Sequence, residues 1–274
     1  MRILIRTSKW AIWARRLGSV AVPLLVIPVA LHHLRVIPSD VFLVLILMAG
    51  VAAALAVLTG VFALGRLWFT GDQGWGRALL GLLFGALCLV PFTWYGNLML
   101  RYPAVTDIAT TDRDGLPLLF EPGMAAMPTP RMLSRAQMAQ VFPNIETRNY
   151  PLGLEPTFEL VRRLVEENGW DIRLLRAPTA DLEPGQINAQ IVTLPGWREE
   201  AVIRVTGTLS TSVVDMRSAS LNALHDFGSN GKRIEAFLGA LDDAVTTLLR
   251  DNPNANDPVE ADADIEPTPR VPTS

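Results

Sequence analysis

Three uncharged apolar runs open the chain. Leu17 to Leu34 lies between Arg16 and Arg35 and holds no Asp, Glu, Lys or Arg. Val41 to Leu64 has no charged residue at all, and Ala78 to Leu100 is bounded by Arg77 and Arg101. Each is long enough to cross the hydrocarbon of a bilayer, which takes about 17–25 helical residues. Pro23 and Pro28 fall in the first run, where a membrane helix tolerates them if neighbours satisfy the freed carbonyls. That run is long for the core of a signal peptide, and no small-x-small cleavage site follows it, so it reads as a span. Gly50 with Ala52 to Ala54, and Gly81 with Gly85, offer small-residue surfaces for close helix approach. Trp10 and Trp13 precede the first run, and Trp94 and Tyr95 sit near the end of the third, as interface anchors do.

Beyond Leu100 the pattern changes twice. Residues 101–149 are rich in Pro and Gly and read as an extended connecting segment, with one short helix from Ser134 to Phe142 that a Ser134–Gln137 capping box would start. Asp107, Asp112 and Asp114 lack EF-hand spacing and read as a solvated loop, not a calcium site. Glu155 to Asn168 then reads as a helix, with Pro156 in its first turn and Gly169 as its stop. Phe158, Val161, Leu164 and Val165 form its buried stripe. Trp170 to Arg176 and Gln186 to Leu194 read as strands around the turn-forming Pro184-Gly185. Glu199 to Thr206 and Thr211 to Ala219 read as a hairpin.

With Thr208 and Leu209 as the hairpin loop, Ala201, Ile203 and Val205 share the core face with Val214 and Met216. Arg204, Asp215 and Arg217 share the other. Ile234, Phe237, Leu238, Leu241, Val245 and Leu248 recur at helical spacing and make the last apolar face. Residues 251–274, with five prolines and Glu260, Asp262, Asp264 and Glu266, read as a disordered acidic tail. The predicted architecture is an α-helical membrane anchor of three transmembrane helices (about 17–34, 41–64 and 78–100). A small two-layer α+β domain follows at 150–250, with an antiparallel sheet and two main helices.

Charge refines this. Residues 1–100 hold 8 Lys+Arg against 2 Asp+Glu, and residues 101–274 hold 16 against 25. The acidic second part lacks the basic face that nucleic-acid binding needs. Arg2, Arg6, Lys9, Arg15 and Arg16 precede the first span, a single Arg35 follows it, and Arg66 and Arg77 lie between the second and third. The positive-inside rule then predicts a cytoplasmic N-terminus and a periplasmic C-terminal domain in a bacterial inner membrane. No ionisable side chain lies deep in any span, which argues against a proton or ion pathway. The lone Cys88 allows no disulfide within the chain. His32 and His33 end the first span, and the only other histidine is His225, too few ligands for a metal centre. They read as polar residues at the membrane interface. Walker A, dinucleotide and Cys/His zinc spacings are all missing, so no cofactor is expected.

The stretch from Val213 to Leu249 carries a more specific pattern, D-x-R-S-x-S at 215–220 followed by D-x-G-x-N-x-x-R-I-x-x-F at 226–237. It resembles the uncharacterised bacterial family known as domain of unknown function 1499, over roughly Thr106 to Arg250. A looser match covers Asp107 to Pro117. The family has no established activity to carry over. The resemblance marks Asp215, Arg217, Ser218, Ser220, Asp226, Gly228, Asn230 and Arg233. In a structural role, Asp215 and Arg217 form cross-strand charge contacts, Asp226 or Asn230 caps the last helix, and Gly228 supplies an unusual backbone angle. In a binding role, the strand end and helix N-terminus, with Lys232 and Arg233, hold an anion. In either case Asp215, Arg217, Asp226, Asn230 and Arg233 are expected to converge.

Two functions from different classes follow. One is a membrane-anchored extracytoplasmic binding or interaction module of the cell envelope, whose partner is an envelope protein or an anionic lipid. The other is a hydrolase-like envelope enzyme using Ser218 or Ser220 with His225 and Asp226, although the chain has no G-x-S-x-G nucleophile elbow.

Overall fold

A computed structural model describes residues 6–119, 130–179 and 181–256. Arg2 and the acidic residues from Glu260 onward lie outside the described residues. The three apolar runs become α1 (Lys9–His33), α2 (Ser39–Thr70) and α3 (Trp75–Arg101). All three are long and apolar enough to cross a membrane. Their inner seam is built from small residues. Ala14, Ala21, Ala49, Ala53 and Ala56 are wholly buried. A Cβ on Gly81 would come within 2.3 Å of the Ala14 backbone, and one on Gly85 within 2.9 Å of the Ala53 carbonyl. Close backbone approach along this seam gives the bundle its dispersion contacts. Leu47, Leu58, Leu83 and Val90 point outward instead. On α3, Trp75 and Trp94 are nineteen residues apart, about 28 Å at 1.5 Å per residue, close to the thickness of bilayer hydrocarbon. The helices overrun the expected spans, with Arg15, Arg16 and Arg66 carried on their ends.

The remainder of the described chain is an open, fully antiparallel sheet with helices on one side. Its strands are β1 (Asp107–Ala109), β2 (Arg148–Tyr150), β3 (Asp171–Arg176), β4 (Gly185–Val192), β5 (Arg198–Gly207) and β6 (Ser212–Ser220). The order is β1-β6-β5-β4-β3, with β2 on the same edge of β6 as β1. The segment read as a connector thus supplies two edge strands. It also carries the short α4 (Arg135–Val141), whose capping box between Ser134 and Gln137 is present. Asp112 and Asp114 are exposed, as a solvated loop requires. Asp107 departs from that expectation, because it is wholly buried in β1.

α5 (Leu154–Glu167) and α6 (Ser229–Asp251) pack on the sheet. Phe158, Val161 and Val165 from α5 and Ile234, Leu238 and Leu241 from α6 meet Ile187, Ile203 and Met216 in one core. In the hairpin, Val205 pairs with Val214 and Ile203 with Met216. The turn is centred on Leu209-Ser210, with the Thr208 N–H donating to the Thr211 carbonyl at 2.7 Å. This differs from the expected Thr208-Leu209 loop by two residues of register. An even shift leaves every side chain on its expected face.

The domain sits directly on one end of the helix bundle. The His32 ring stacks on Phe42 (4.3 Å) and meets Trp197 edge-on (5.0 Å). Its Nδ1 donates to the Pro195 carbonyl at 2.6 Å. A carbonyl only accepts, so Nδ1 carries the proton. His32 is therefore a buried joint between helix bundle and domain, not the exposed interfacial side chain expected of it. Gly196 (φ +94°) completes the contact, since a Cβ there would lie 2.7 Å from the His33 backbone.

Past α6, the Asn256 side chain accepts from the Gly153 N–H (2.8 Å) and donates to the Pro151 carbonyl (3.2 Å). Asn256→Ala leaves the N–H of Gly153, the N-cap of α5, without its acceptor and should destabilise the domain by about 1 kcal/mol in thermal melts. An unchanged midpoint would show that this tie contributes nothing.

Candidate functional site

Alternation along β6 decides which marked residues can meet. Val214, Met216, Ser218 and Ser220 face the helix layer, while Asp215 and Arg217 face away from it. The five-residue convergence expected from the sequence is therefore split by the sheet. Ser218, Ser220, Asp226, Asn230 and Arg233 come together on the helix side, and Asp215 and Arg217 do not join them. The pleat outranks proximity in sequence, because a strand cannot turn odd and even positions to one face.

On the helix side the polar groups close on one another. Ser218 Oγ donates to Asn230 Oδ1 (2.8 Å) and accepts from Arg233 (2.8 Å). Asn230 Nδ2 donates to Ser220 Oγ (2.9 Å), which in turn donates to Glu199 Oε1 (2.9 Å). Ser229 donates to that same oxygen, and Arg233 pairs with the other oxygen of Glu199. Asp226 sits before the helix start at Gly228 (φ +80°). One carboxylate oxygen accepts from the Gly228 N–H (2.9 Å) and the other from the Asn230 N–H (3.3 Å). Asp226 is thus the cap. Asn230 lies inside the helix and bridges to both serines.

Glu199 was not among the sequence candidates, yet it anchors the network. A signal existed. Glu199 holds the same strand phase as the core residues Ala201, Ile203 and Val205, so a carboxylate there had to face the core and find partners.

The other face has its own network. Arg217 grips Asp107 with two bonds (2.8 and 3.0 Å) and donates to the Leu116 carbonyl. Arg113 joins Asp107 as well. Asp215 accepts from Thr147 (2.7 Å), Thr110 (3.2 Å) and Arg204 (3.3 Å). These contacts tie the segment before β2 across the sheet. Nearby, Glu200 is buried with one oxygen held by Leu119 and Asn188, and burial pushes its pKa up.

Burial also dominates the titration of Asp226. It raises the carboxyl to about 6, against the pull of the Gly228 N–H and with a smaller push from the Glu199 charge. His225 is shifted down by burial, and its Nδ1 accepts from the Phe227 N–H. A Ser–His–Asp arrangement needs a serine proton directed at the histidine. Here both serine protons go to Asn230 and Glu199. Among the described residues, no group of three or more His, Cys, Asp or Glu could hold a metal ion. The arrangement serves as a latch that fixes α6 against β5 and β6.

Three outcomes test the latch. Arg233→Ala leaves Glu199 buried without its counter-charge and should cost about 3–5 kcal/mol in thermal or denaturant unfolding, part of which Glu199→Ala in the same chain should restore. Asp226→Ala should cost about 0.5–2 kcal/mol through the lost cap. Asp226 binds its proton more tightly when folded than its ordinary value of 3.8 implies. Its contribution to stability is therefore full below about pH 4 and lost as pH rises through about 6. The melting midpoint of the native chain, relative to Asp226→Asn, should fall across that window and level off above it. A flat difference would show that the carboxyl titrates normally.

No curated protein and no solved structure matches the chain. A family model does match residues 124–241, and its description is Protein of unknown function (DUF1499). The match takes in Glu199, Ser218, Ser220, Asp226, Asn230 and Arg233. The expected resemblance is thereby borne out over residues 124–241, which follow three apolar helices.

Proposed function

We propose that this chain is a membrane-anchored binding or interaction module of the bacterial cell envelope, with its folded domain on the extracytoplasmic side. The observation that carries the reading is the seating of the domain on one end of the bundle. The end of α1, the start of α2 and the end of α3 all meet it, through His32, Phe42 and Tyr95 against Trp197 and Phe227. The opposite end holds Arg66, Arg77 and the N-terminal flank, where the Ser8 N–H donates to the Gln73 carbonyl. Positive residues gather at that end, which favours its being cytoplasmic. Binding is favoured over catalysis because the polar cluster of the DUF1499 segment is internally satisfied and buried. Side chains committed to one another in this way act as structure and leave no activated nucleophile.

Fusions to alkaline phosphatase test the placement. The enzyme fused after Arg250 should be active in the periplasm, and fused after Leu67 it should be inactive. The reverse pattern would overturn the orientation.

A further inference from the structure

A cavity of about 510 Å³ lies where the helix bundle meets the domain. Leu25, Ile46 and Phe92 of the bundle wall it, and Leu194, Trp197 and Phe227 of the domain line it from the other side. Its lining side chains are apolar but for the tips of Tyr95 and Trp197, and none carries a charge. The volume falls in the range of small-molecule sites, about 300–1,000 Å³. On α3 the lining runs from Pro91 to Met99, eight residues apart, about 12 Å at 1.5 Å per residue. The space is thus drawn out along the helix axis. Val26, Leu43 and Met99 belong to the same lining, and each is also exposed on its helix, at 57, 48 and 56 %. The cavity is therefore a recess in the apolar surface that α1–α3 turn outward.

Two features keep this space open and shaped. Gly96 lines it, and a Cβ there meets nothing within 4 Å. Its φ is not positive and no neighbour crowds it, so neither backbone angle nor helix packing asks for glycine at this position. In this it differs from Gly81 and Gly85 in the seam. What its missing side chain leaves is room in the cavity. The domain side carries a strained residue. Phe227 sits at φ +54°, a left-handed angle that bulky residues seldom adopt. Unfavourable backbone of this kind clusters at ligand clamps and other functional sites. Its ring meets Tyr95 edge-on at 5.1 Å and stacks with His225 at 4.6 Å, which fixes it as one wall of the recess.

We propose that the recess binds one hydrocarbon chain of a bilayer lipid, entering sideways from the membrane, and takes it without regard to the headgroup. This inference rests on the reading of α1–α3 as membrane spans and names the ligand of the binding module proposed above. With the helices in a bilayer, the medium at the mouth is lipid hydrocarbon, whose chains run along the same axis as the slot. The lining holds no charge, so nothing in it selects a phosphate, an amine or a sugar. A peptide segment is a poorer occupant, because its backbone N–H and C=O groups would lose water and find few partners here. A chain seated against Phe92 and Trp197 touches bundle and domain at once, and so becomes part of the joint between them.

The test uses the full chain purified in detergent, with native mass spectrometry to count retained lipid. Phosphatidylglycerol, its single-chain lyso form and diacylglycerol of the same chains are the probes. The native chain should retain one molecule of each, and the three should displace one another on equal terms. Gly96→Phe should abolish retention of all three, because the added ring occupies the slot. Gly65→Phe is the control. A Cβ on Gly65 also meets nothing within 4 Å, but it lies toward the far end of α2, so retention should persist. Thermal midpoints in lipid-free detergent check that both variants fold. Val29→Trp fills the same slot from α1 and repeats the test if Gly96→Phe does not fold. Equal retention by the native chain and Gly96→Phe would overturn the site, as would equal loss from Gly96→Phe and Gly65→Phe. A clear preference for phosphatidylglycerol over diacylglycerol would place the selectivity in a headgroup and overturn it too. Two chains held together without lipid would show a second copy filling the recess and do the same. Resistance to alkaline extraction from membranes tests the spans separately, so a chain that stays in the membrane but retains no lipid defeats this site alone.

Discussion

A buried ion pair between Glu199 and Arg233 sets the geometry of the domain. It joins the start of β5 to the first turns of α6, with Glu199 buried and Arg233 largely so. Desolvated charges of this kind persist only when every remaining donor and acceptor is satisfied. Ser218, Ser220, Ser229 and Asn230 supply that satisfaction, and the Asp226 cap fixes the helix start that presents Ser229, Asn230 and Arg233. Once this corner is closed, the rotation and register of α6 on the sheet are determined. Ile234, Leu238 and Leu241 then fall into the core as a consequence.

Much of this was legible in the chain. Period-3.6 and period-2 patterns located α5, α6 and the four longer strands, because each buries one face against a single core. Uncharged runs located α1 to α3. Signals that depend on distant partners stayed hidden. Three-residue strands such as β1 and β2 are too short to show a period, and what makes them strands is the edge of β6 far away in sequence. His32 looked interfacial because its partners, Trp197 and the Pro195 carbonyl, are 163 or more positions on. Its role depends on the domain folding back onto the ends of the helix bundle. The marked polar side chains all enter hydrogen-bonded networks, but their grouping differs from the expected one. The alternation that placed Asp215 and Arg217 opposite Ser218 was itself visible, and it was sufficient to divide them.

The two polar networks on either face of β6 also explain how an otherwise simple sheet tolerates so many ionisable groups. Asp107 with Arg217, and Asp215 with Thr110 and Thr147, fasten the segment preceding β2 over the outer face. Glu199 with Arg233 fastens α6 over the inner one. β6 is thus clamped from both sides by groups that specify one arrangement. The core alone, built from interchangeable aliphatic side chains, would permit several.

The short passage from α3 into β1 has a consequence for encounter. Only residues 102–106 separate Arg101 from Asp107, and they are pinned along their length. Tyr102 stacks on Phe142, the Val105 carbonyl receives the Asp226 N–H, and the Thr106 N–H bonds to Arg131. Such a passage has no slack to pay out, so the domain has a fixed stand-off from the end of the helix bundle and cannot sweep a volume around it. With the bundle set in a bilayer, a domain held in this way would search in two dimensions, by lateral drift of the whole molecule. Whatever it met would have to travel in the same plane or come down to that surface.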